Sequence, residues 1–189
     1  MNSKNECDFA SLVKSRKTVF EFDEKRGVDQ KDINLILECA RWSPSSLNSQ
    51  PWEFILIKDR KAINSITEIC HYGFFHTNPS VMIAVVLGPL YIEDKALLSG
   101  KLKEFTDSHK YLNIAMPVLT MQYAATALGI SSAIMSPVTG KANKLLNVPN
   151  EYETVLVVGL GYEKEGAFQK PRERKSLKDI LYLEKYGKR

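Results

Sequence analysis

Cysteine is scarce in this chain of 189 residues. Cys7, Cys39 and Cys70 are odd in number and have no CxxC spacing, which excludes a disulfide framework and an all-cysteine metal site. A long apolar run is also missing. The most apolar stretch, "VMIAVVLGPL" from Val81 to Leu90, has about ten residues, against the roughly twenty that a spanning helix needs. It is therefore read as a buried strand, and no membrane partner is expected. The N-terminal "MNSKNECDFASLVKSRK" has no apolar signal core, so a reduced, cytoplasmic setting is expected. Charge of one sign never accumulates. The net charge of +4 and pI near 8.8 arise from scattered lysines and arginines, which suits an anionic small ligand as readily as a polyanion. Repeats and low-complexity segments are absent.

Hydrophobic residues make up 44% of the chain, enough for the core of one domain over residues 1–189. Phe9, Leu12 and Val13 have helical spacing and predict a helix ending before Ser15. Asp29 is placed as the cap of a second helix, "QKDINLILECARW", with Ile33, Ile36, Leu37 and Ala40 as its buried stripe and Pro44 as its stop. "EFILIK" reads as a strand, "DRKAINSITEICHYG" as a helix capped by Asp59, and "SVMIAVVLG" as a strand covered on both faces. No element is assigned from Tyr91 to His109. "KYLNIAMPVLTMQYAATALG" is apolar nearly all round, so it should be buried on most sides, a second subunit being the economical cover. Pro117 either kinks it or sits in its first turn. "ISSAIMS" and "ETVLVVGLGY" are further strands, and Ser176 caps a short closing helix. Mixed elements without strict alternation favour an α+β domain with one covered sheet.

Two polar groupings stand out. "RWSPSSLNSQPWEFILIKD" places Pro44, Ser45, Ser46, Asn48 and Gln50 between a helix and a strand. Neutral hydroxyls, a carboxamide and backbone amides stiffened by prolines suit a planar polar ligand or a phosphate. An ordinary turn uses the same residues, and the residues alone lean toward it. Arg16 and Lys17, with Arg172 and Arg174 far along the chain, could converge on one phosphate. Taken alone they lean toward a solvated surface. Other candidates fall away. Cys70, His71 and His76 lack helical register for a metal, and none is assigned. "VVGLGYEKEG" has no helix after it, as a dinucleotide turn requires. Met116, Met121 and Met135 are core fillers. "KPRERKSLK" lacks interleaved aromatics, so no nucleic-acid partner is expected.

Together these stretches resemble the nitroreductase family of FMN-dependent oxidoreductases. "SRKTVFEF" is similar to that family's "SRRSVRxF", and "SPSSLNSQPWEFILI" to its "APSxxNxQPWxFxxV". "MQYAATALGISSAIM" resembles its buried helix, glycine turn and strand. "VVGLGY…KPRERKSLKDI" resembles its C-terminal strand and "RxRxPLxEI" element. The resemblance implies a central, mostly antiparallel sheet flanked by helices in an intertwined homodimer. It implies FMN as cofactor and NADH or NADPH as co-substrate. Hydride would pass through flavin N5 to a nitroaromatic, quinone or enone by a ping-pong cycle, with no catalytic side chain. By resemblance Pro44, Ser45, Ser46 and Asn48 line the flavin at the dimer interface, while Gln50, Pro51 and Trp52 anchor the loop. Arg16, Lys17 and Thr18 match residues contacting flavin and phosphate, and Arg172 and Arg174 match the phosphate clamp. Ser136 lies in the segment whose backbone amide approaches N5. Phe74, Phe75 and Tyr111 are either an acceptor wall or core. Phe20 replaces a family cation near N1 and O2, Asn113 stands where many relatives are acidic, and Pro137 removes an amide donor. Those departures keep open an alternative, a flavin-binding module for storage, sensing or partnering with little NAD(P)H turnover. No residue points to action on flavin itself or on a halogenated aromatic.

Overall fold

The computed structural model describes residues 3–73, 78–89 and 101–188. Its elements run α1 (Ser3–Ser15), α2 (Gln30–Arg41), a 3-10 turn (Ser46–Asn48), β1 (Trp52–Ile57), α3 (Arg60–Glu68), β2 (Cys70–His71) and β3 (Val81–Leu87). They continue with α4 (Lys101–Ala127), β4 (Ser131–Pro137), α5 (Thr139–Leu146), β5 (Glu153–Gly161) and α6 (Leu177–Ile180). The strands form one five-stranded sheet in the order β1-β3-β5-β4-β2. Its ladders are antiparallel, as the α+β reading requires.

Alternation along β3 explains the layers. Ile83 and Val85 face α2 and α4, joining Ile33, Ile36, Ile114, Val118 and Met121. Met82 and Ala84 face the opposite way, joining Ile63 and Ile66 of α3. Successive side chains of a strand point to opposite faces, so a strand with a helix on each side must be apolar at every position. All seven residues of β3 are buried. The strand of "VMIAVVL" thus lies near the middle of the sheet because nothing in it could tolerate an edge.

Several expectations change in detail. Asp29 stands at the N-cap of α2 in extended backbone, but its side chain makes no capping bond. Asp59 does cap α3, accepting from the Ala62 amide at 2.8 Å. Ser176 caps α6 through a reciprocal box with Asp179. The helix expected through Gly73 stops at Glu68. Cys70 and His71 instead pair with Pro137 and Ser136, so tertiary pairing overrides the local helical pattern. Gly73 then doubles back over the helix end so tightly that a Cβ there would sit 1.9 Å from the Thr67 carbonyl oxygen. Helix α5 carried no sequence signal, because Ala142 is its only buried residue. Of the unassigned stretch from Tyr91 to His109, residues 91–100 lie outside the described residues, and the rest opens α4. Phe74, Phe75 and His76 also lie outside the described residues.

Helix α4 contains Pro117 well inside it, and the chain by itself buries only one side of it. Ile114, Val118, Met121 and Ala125 point into the core. Leu112, Met116 and Leu119 remain 57%, 45% and 45% exposed. Among the described residues no helix is long and apolar enough to cross a membrane.

Ile83 is fully buried between the two layers, so truncation should leave a cavity that neither sheet face can close. Ile83→Ala is expected to lower unfolding stability by about 2–5 kcal/mol in chemical denaturation.

Candidate functional site

The connector after α1 is pinned to the sheet edge. Thr18 bridges Ser132 in parallel, and the Val19 amide donates to the Ser132 carbonyl at 3.1 Å. Val19 and Phe22 close a small core with Ala133. This anchoring fixes the backbone that carries Arg16, Lys17 and Thr18. From the other end of the sequence, the exposed arm after β5 returns to the same place. The Arg172 guanidinium donates to the Arg16 carbonyl and, at 2.7 Å, to the Lys14 carbonyl. It thereby satisfies carbonyls at the C-terminus of α1, where a cation also opposes the helix dipole.

The result is a cleft of about 340 Å³ between connector and arm. Arg16, Lys17, Lys170, Arg172 and Arg174 line it against one carboxylate, Glu173. A neighbouring hollow of about 510 Å³ shares Arg16, Arg172 and Arg174 and reaches Tyr123 of α4. Among the described residues the Arg16 guanidinium has no hydrogen-bond acceptor or ion pair. Burial, and then the adjacent charges of Arg172 and Arg174, push its pKa below the ordinary arginine value, with Tyr123 acting the other way. Arginines crowded together favour an anion, and planar guanidinium forks match phosphate oxygens.

The rest of the cleft is less cationic. Lys17 pairs with Glu163 at 2.5 Å, and Gln169 donates to the other oxygen of the same carboxylate. Phe20 lines the wall and packs against Phe168 with ring centroids 6.1 Å apart. The cleft is therefore polar and cationic on one side and aromatic on the other, suited to a phosphorylated ligand with an apolar body.

The serine-rich loop is built separately. Its backbone enters the left-handed region at Leu47, Asn48 and Gln50, with φ of 54°, 52° and 41°. None is glycine, so strain of about 1 kcal/mol or more at each is expected. The loop is held from within: Ser45 Oγ accepts from the Gln50 amide at 3.0 Å, and Gln50 Nε2 donates to the Asn48 carbonyl at 3.2 Å. It is held from outside by α4. The Ser46 amide donates to Asn113 Oδ1 at 3.0 Å, and Ser43 and Thr120 hydroxyls lie 2.8 Å apart. Pro44 is exposed beside it. Among the described residues Asn113 Nδ2 and Ser49 Oγ are buried without partners. Unsatisfied buried donors are costly, and their coincidence with a strained turn marks the loop as more than a connection.

Within one chain the structure brings Arg16, Lys17, Thr18, Arg172 and Arg174 together. It does not bring Pro44, Ser45, Ser46 or Asn48 to them. The loop meets α4 at Asn113 and Thr120, whereas the hollow beside the cleft meets it at Tyr123. Asn113, which holds Ser46, is about 15 Å along the helix axis from Tyr123, whereas Thr120, which meets Ser43 at the base of the loop, is about one turn from it. Ser136 is exposed at the far end of β4, about 13 Å along the strand from Ser132, and lies opposite His71. Tyr111 donates to Glu153 at 2.6 Å, and that hydrogen bond raises its pKa. Cys70 is buried, which pushes its thiol up to about 12. Among the described residues no group of three His, Cys, Asp or Glu could hold a metal. Glu163, Phe168 and Gln169 escaped sequence reasoning because their partners lie well over a hundred residues away or in an irregular arm.

Comparison with known proteins adds the following. A family model described as "Nitroreductase family" matches residues 13–162. A provisionally named NADH dehydrogenase/NAD(P)H nitroreductase of Archaeoglobus fulgidus is 25% identical over 159 residues, 82% of this chain and 84% of the relative. An iodotyrosine deiodinase of Thermotoga neapolitana is 28% identical over 178 residues, 85% and 91% of the two chains. The structure of an FMN-dependent nitroreductase from Clostridium difficile R20291 superposes with a TM-score of 0.73 at 18% identity, covering 94% and 99%. That structural likeness establishes the shared fold.

Arg172 and Arg174 lower the Arg16 pKa, so removing the Arg16 charge should not weaken the folded chain. Arg16→Met is expected to melt no lower than the parent in thermal denaturation, and to lose the added stability that inorganic phosphate gives the parent. A drop of several degrees without phosphate would contradict the repulsion.

Proposed function

We propose, from the premise that this chain belongs to the nitroreductase family, that it is an FMN-dependent NAD(P)H oxidoreductase working as a homodimer. The observation that carries the reading is the meeting of Arg16, Arg172 and Arg174 at one cleft. These residues fit a phosphate monoester: their charges crowd one another, and among the described residues Arg16 has no counter-ion. In this reading they hold the FMN phosphate, with Lys17 and Thr18 at the rim. Bound FMN would supply the redox chemistry, taking hydride at N5 from NADH or NADPH and passing it, in a ping-pong cycle, to a nitroaromatic, quinone or enone.

The remaining work falls to the chain. Pro44, Ser45, Ser46 and Asn48 line the ring from a second copy, and the Ser136 backbone amide serves the N5 side. No side chain is assigned a catalytic role. The second copy is supported by the separation of loop and cleft along α4, and by the apolar face of Leu112, Met116 and Leu119 between them. A copy packed on that face would carry its own loop toward the first copy's cleft. A reduced cytoplasmic setting belongs to the same reading. The cations are assigned to a small anion, so nucleic acid is not a partner.

One observation favours a second reading. Phe20 packs on Phe168 in the cleft wall, where the family motif carries a cation. A reduced, anionic ring would find less stabilisation there, as expected of a flavin-binding module in storage, sensing or partnership with little NAD(P)H turnover.

The purified protein is expected to be yellow and to bleach anaerobically with NADH or NADPH within seconds. Slow bleaching would favour the second reading, and a colourless protein that FMN cannot reconstitute would end both. A panel of nitroaromatic, quinone, enone and halogenated phenol acceptors then identifies the oxidant. Arg172→Ala with Arg174→Ala should weaken FMN binding by roughly 3 kcal/mol or more, with the deficit shrinking at high salt. Leu119→Glu should convert dimer to monomer in sedimentation and lower FMN retention with it. Leu119 suits this test because it is exposed in the single chain.

A further inference from the structure

We infer that Glu163 is the positioning residue of the cationic cleft: its two carboxylate oxygens hold Lys17 and Gln169 at once and clip the arm carrying Arg172 and Arg174 to the connector carrying Arg16. The clip stands on geometry alone. Its bearing on FMN rests on the flavin-dependent reading above.

Glu163 has a rigid base. It bridges Phe22 in antiparallel fashion, and Phe22 is almost completely buried. Around that bridge the Asp23 amide donates to the Tyr162 carbonyl at 2.8 Å, and the Lys164 amide to the Glu21 carbonyl at 3.0 Å. The backbone on either side of Glu163 is therefore fastened to the connector. From this base Oε2 accepts from Lys17 Nζ at 2.5 Å, and Oε1 accepts from Gln169 Nε2.

The grip adds to two other fastenings of the arm, the donation of Arg172 to the Lys14 and Arg16 carbonyls and the packing of Phe168 on Phe20. Residues 168–181 are all exposed, so burial does not hold them in place. Exposed single ion pairs contribute little. Here the Glu163 side chain is only 23% exposed, and it serves two partners on two segments. Such a shared acceptor couples those segments more strongly than separate pairs would. Gln169 is three residues from Arg172, close enough that its position limits where the arginines can reach.

The clip also divides the charges of the cleft. Lys17 has its counter-ion in Glu163, whereas the Arg16 guanidinium has none among the described residues. An incoming dianion therefore meets its strongest attraction at the arginine side, away from the Phe20 wall. Glu163 would thus set both the position of the arm and the direction in which a phosphorylated ligand lies.

The test compares the full chain with Glu163→Ala, Glu163→Gln, Gln169→Ala and the double variant Glu163→Ala/Gln169→Ala. On FMN-free protein, trypsin cleavage within the arm at Arg172, Arg174 and Lys175 reports arm detachment. On loaded protein, the FMN release rate reports cleft integrity. Glu163→Ala is expected to speed both on the order of tenfold, as loss of charge-assisted contacts implies. Glu163→Gln keeps an acceptor for Gln169 but not the ion pair, and should fall between. The double variant should be no faster than Glu163→Ala, since both changes remove one contact. Arm cleavage and FMN release within about twofold of the parent in Glu163→Ala, or additive effects in the double variant, would overturn the inference. Should Glu163→Ala fail to fold, Gln169→Ala on the exposed arm carries the same measurements. A protein that never retains FMN would sink the proposed function, while the cleavage rates would still decide the clip.

Discussion

The meeting of Arg16, Arg172 and Arg174 at one cleft is the feature on which the rest of the site depends. Like charges do not gather without compensation. Here the compensation is structural. Arg172 spends its donors on the carbonyls of Lys14 and Arg16, so the same side chain that adds charge also ties the arm to the end of α1. The sheet holds the other side, through Thr18 at Ser132. Without the covered antiparallel sheet beneath the connector, nothing would oppose the tendency of these cations to separate.

Strain is distributed in a related way. The serine-rich loop keeps three non-glycine residues in left-handed backbone, and among the described residues Ser49 Oγ in it and Asn113 Nδ2 beside it are buried without partners. Its fastenings are to α4, through Asn113 and Thr120, and α4 is in turn gripped on its inner side by the core. The loop and the cleft are therefore positioned by the same helix from different turns. This shared scaffold would let two distant polar groupings act as one site across a two-copy assembly, with the apolar outer face of α4 between them.

How much of this was legible in the sequence depends on the range over which each signal acts. The continuous apolar run of "VMIAVVL" announced a strand covered on both faces, because only double burial makes every position apolar. Asp59 and Ser176 announced caps, because capping is a contact within three residues. The helix forecast through Gly73 failed where the partner was remote, Cys70 and His71 being claimed by β4. Helix α5 hid because a single buried alanine leaves no periodic stripe. The arginines could be paired across the chain only through the resemblance, since no spacing links residue 16 to residue 172. Glu163 had no such aid. Its partners are fixed by the path of an irregular arm, which hydrophobic patterning does not describe.

The crowded guanidinium groups have a consequence beyond binding. Whatever anion settles among them relieves a cost that the empty fold must carry, and ligand that prefers the native chain raises its stability by mass action. The vacant form is then the one most exposed to unfolding and proteolysis. The abundance of the polypeptide in a cell would follow the supply of its anion, so that scarcity of the cofactor thins out the apoprotein before it accumulates.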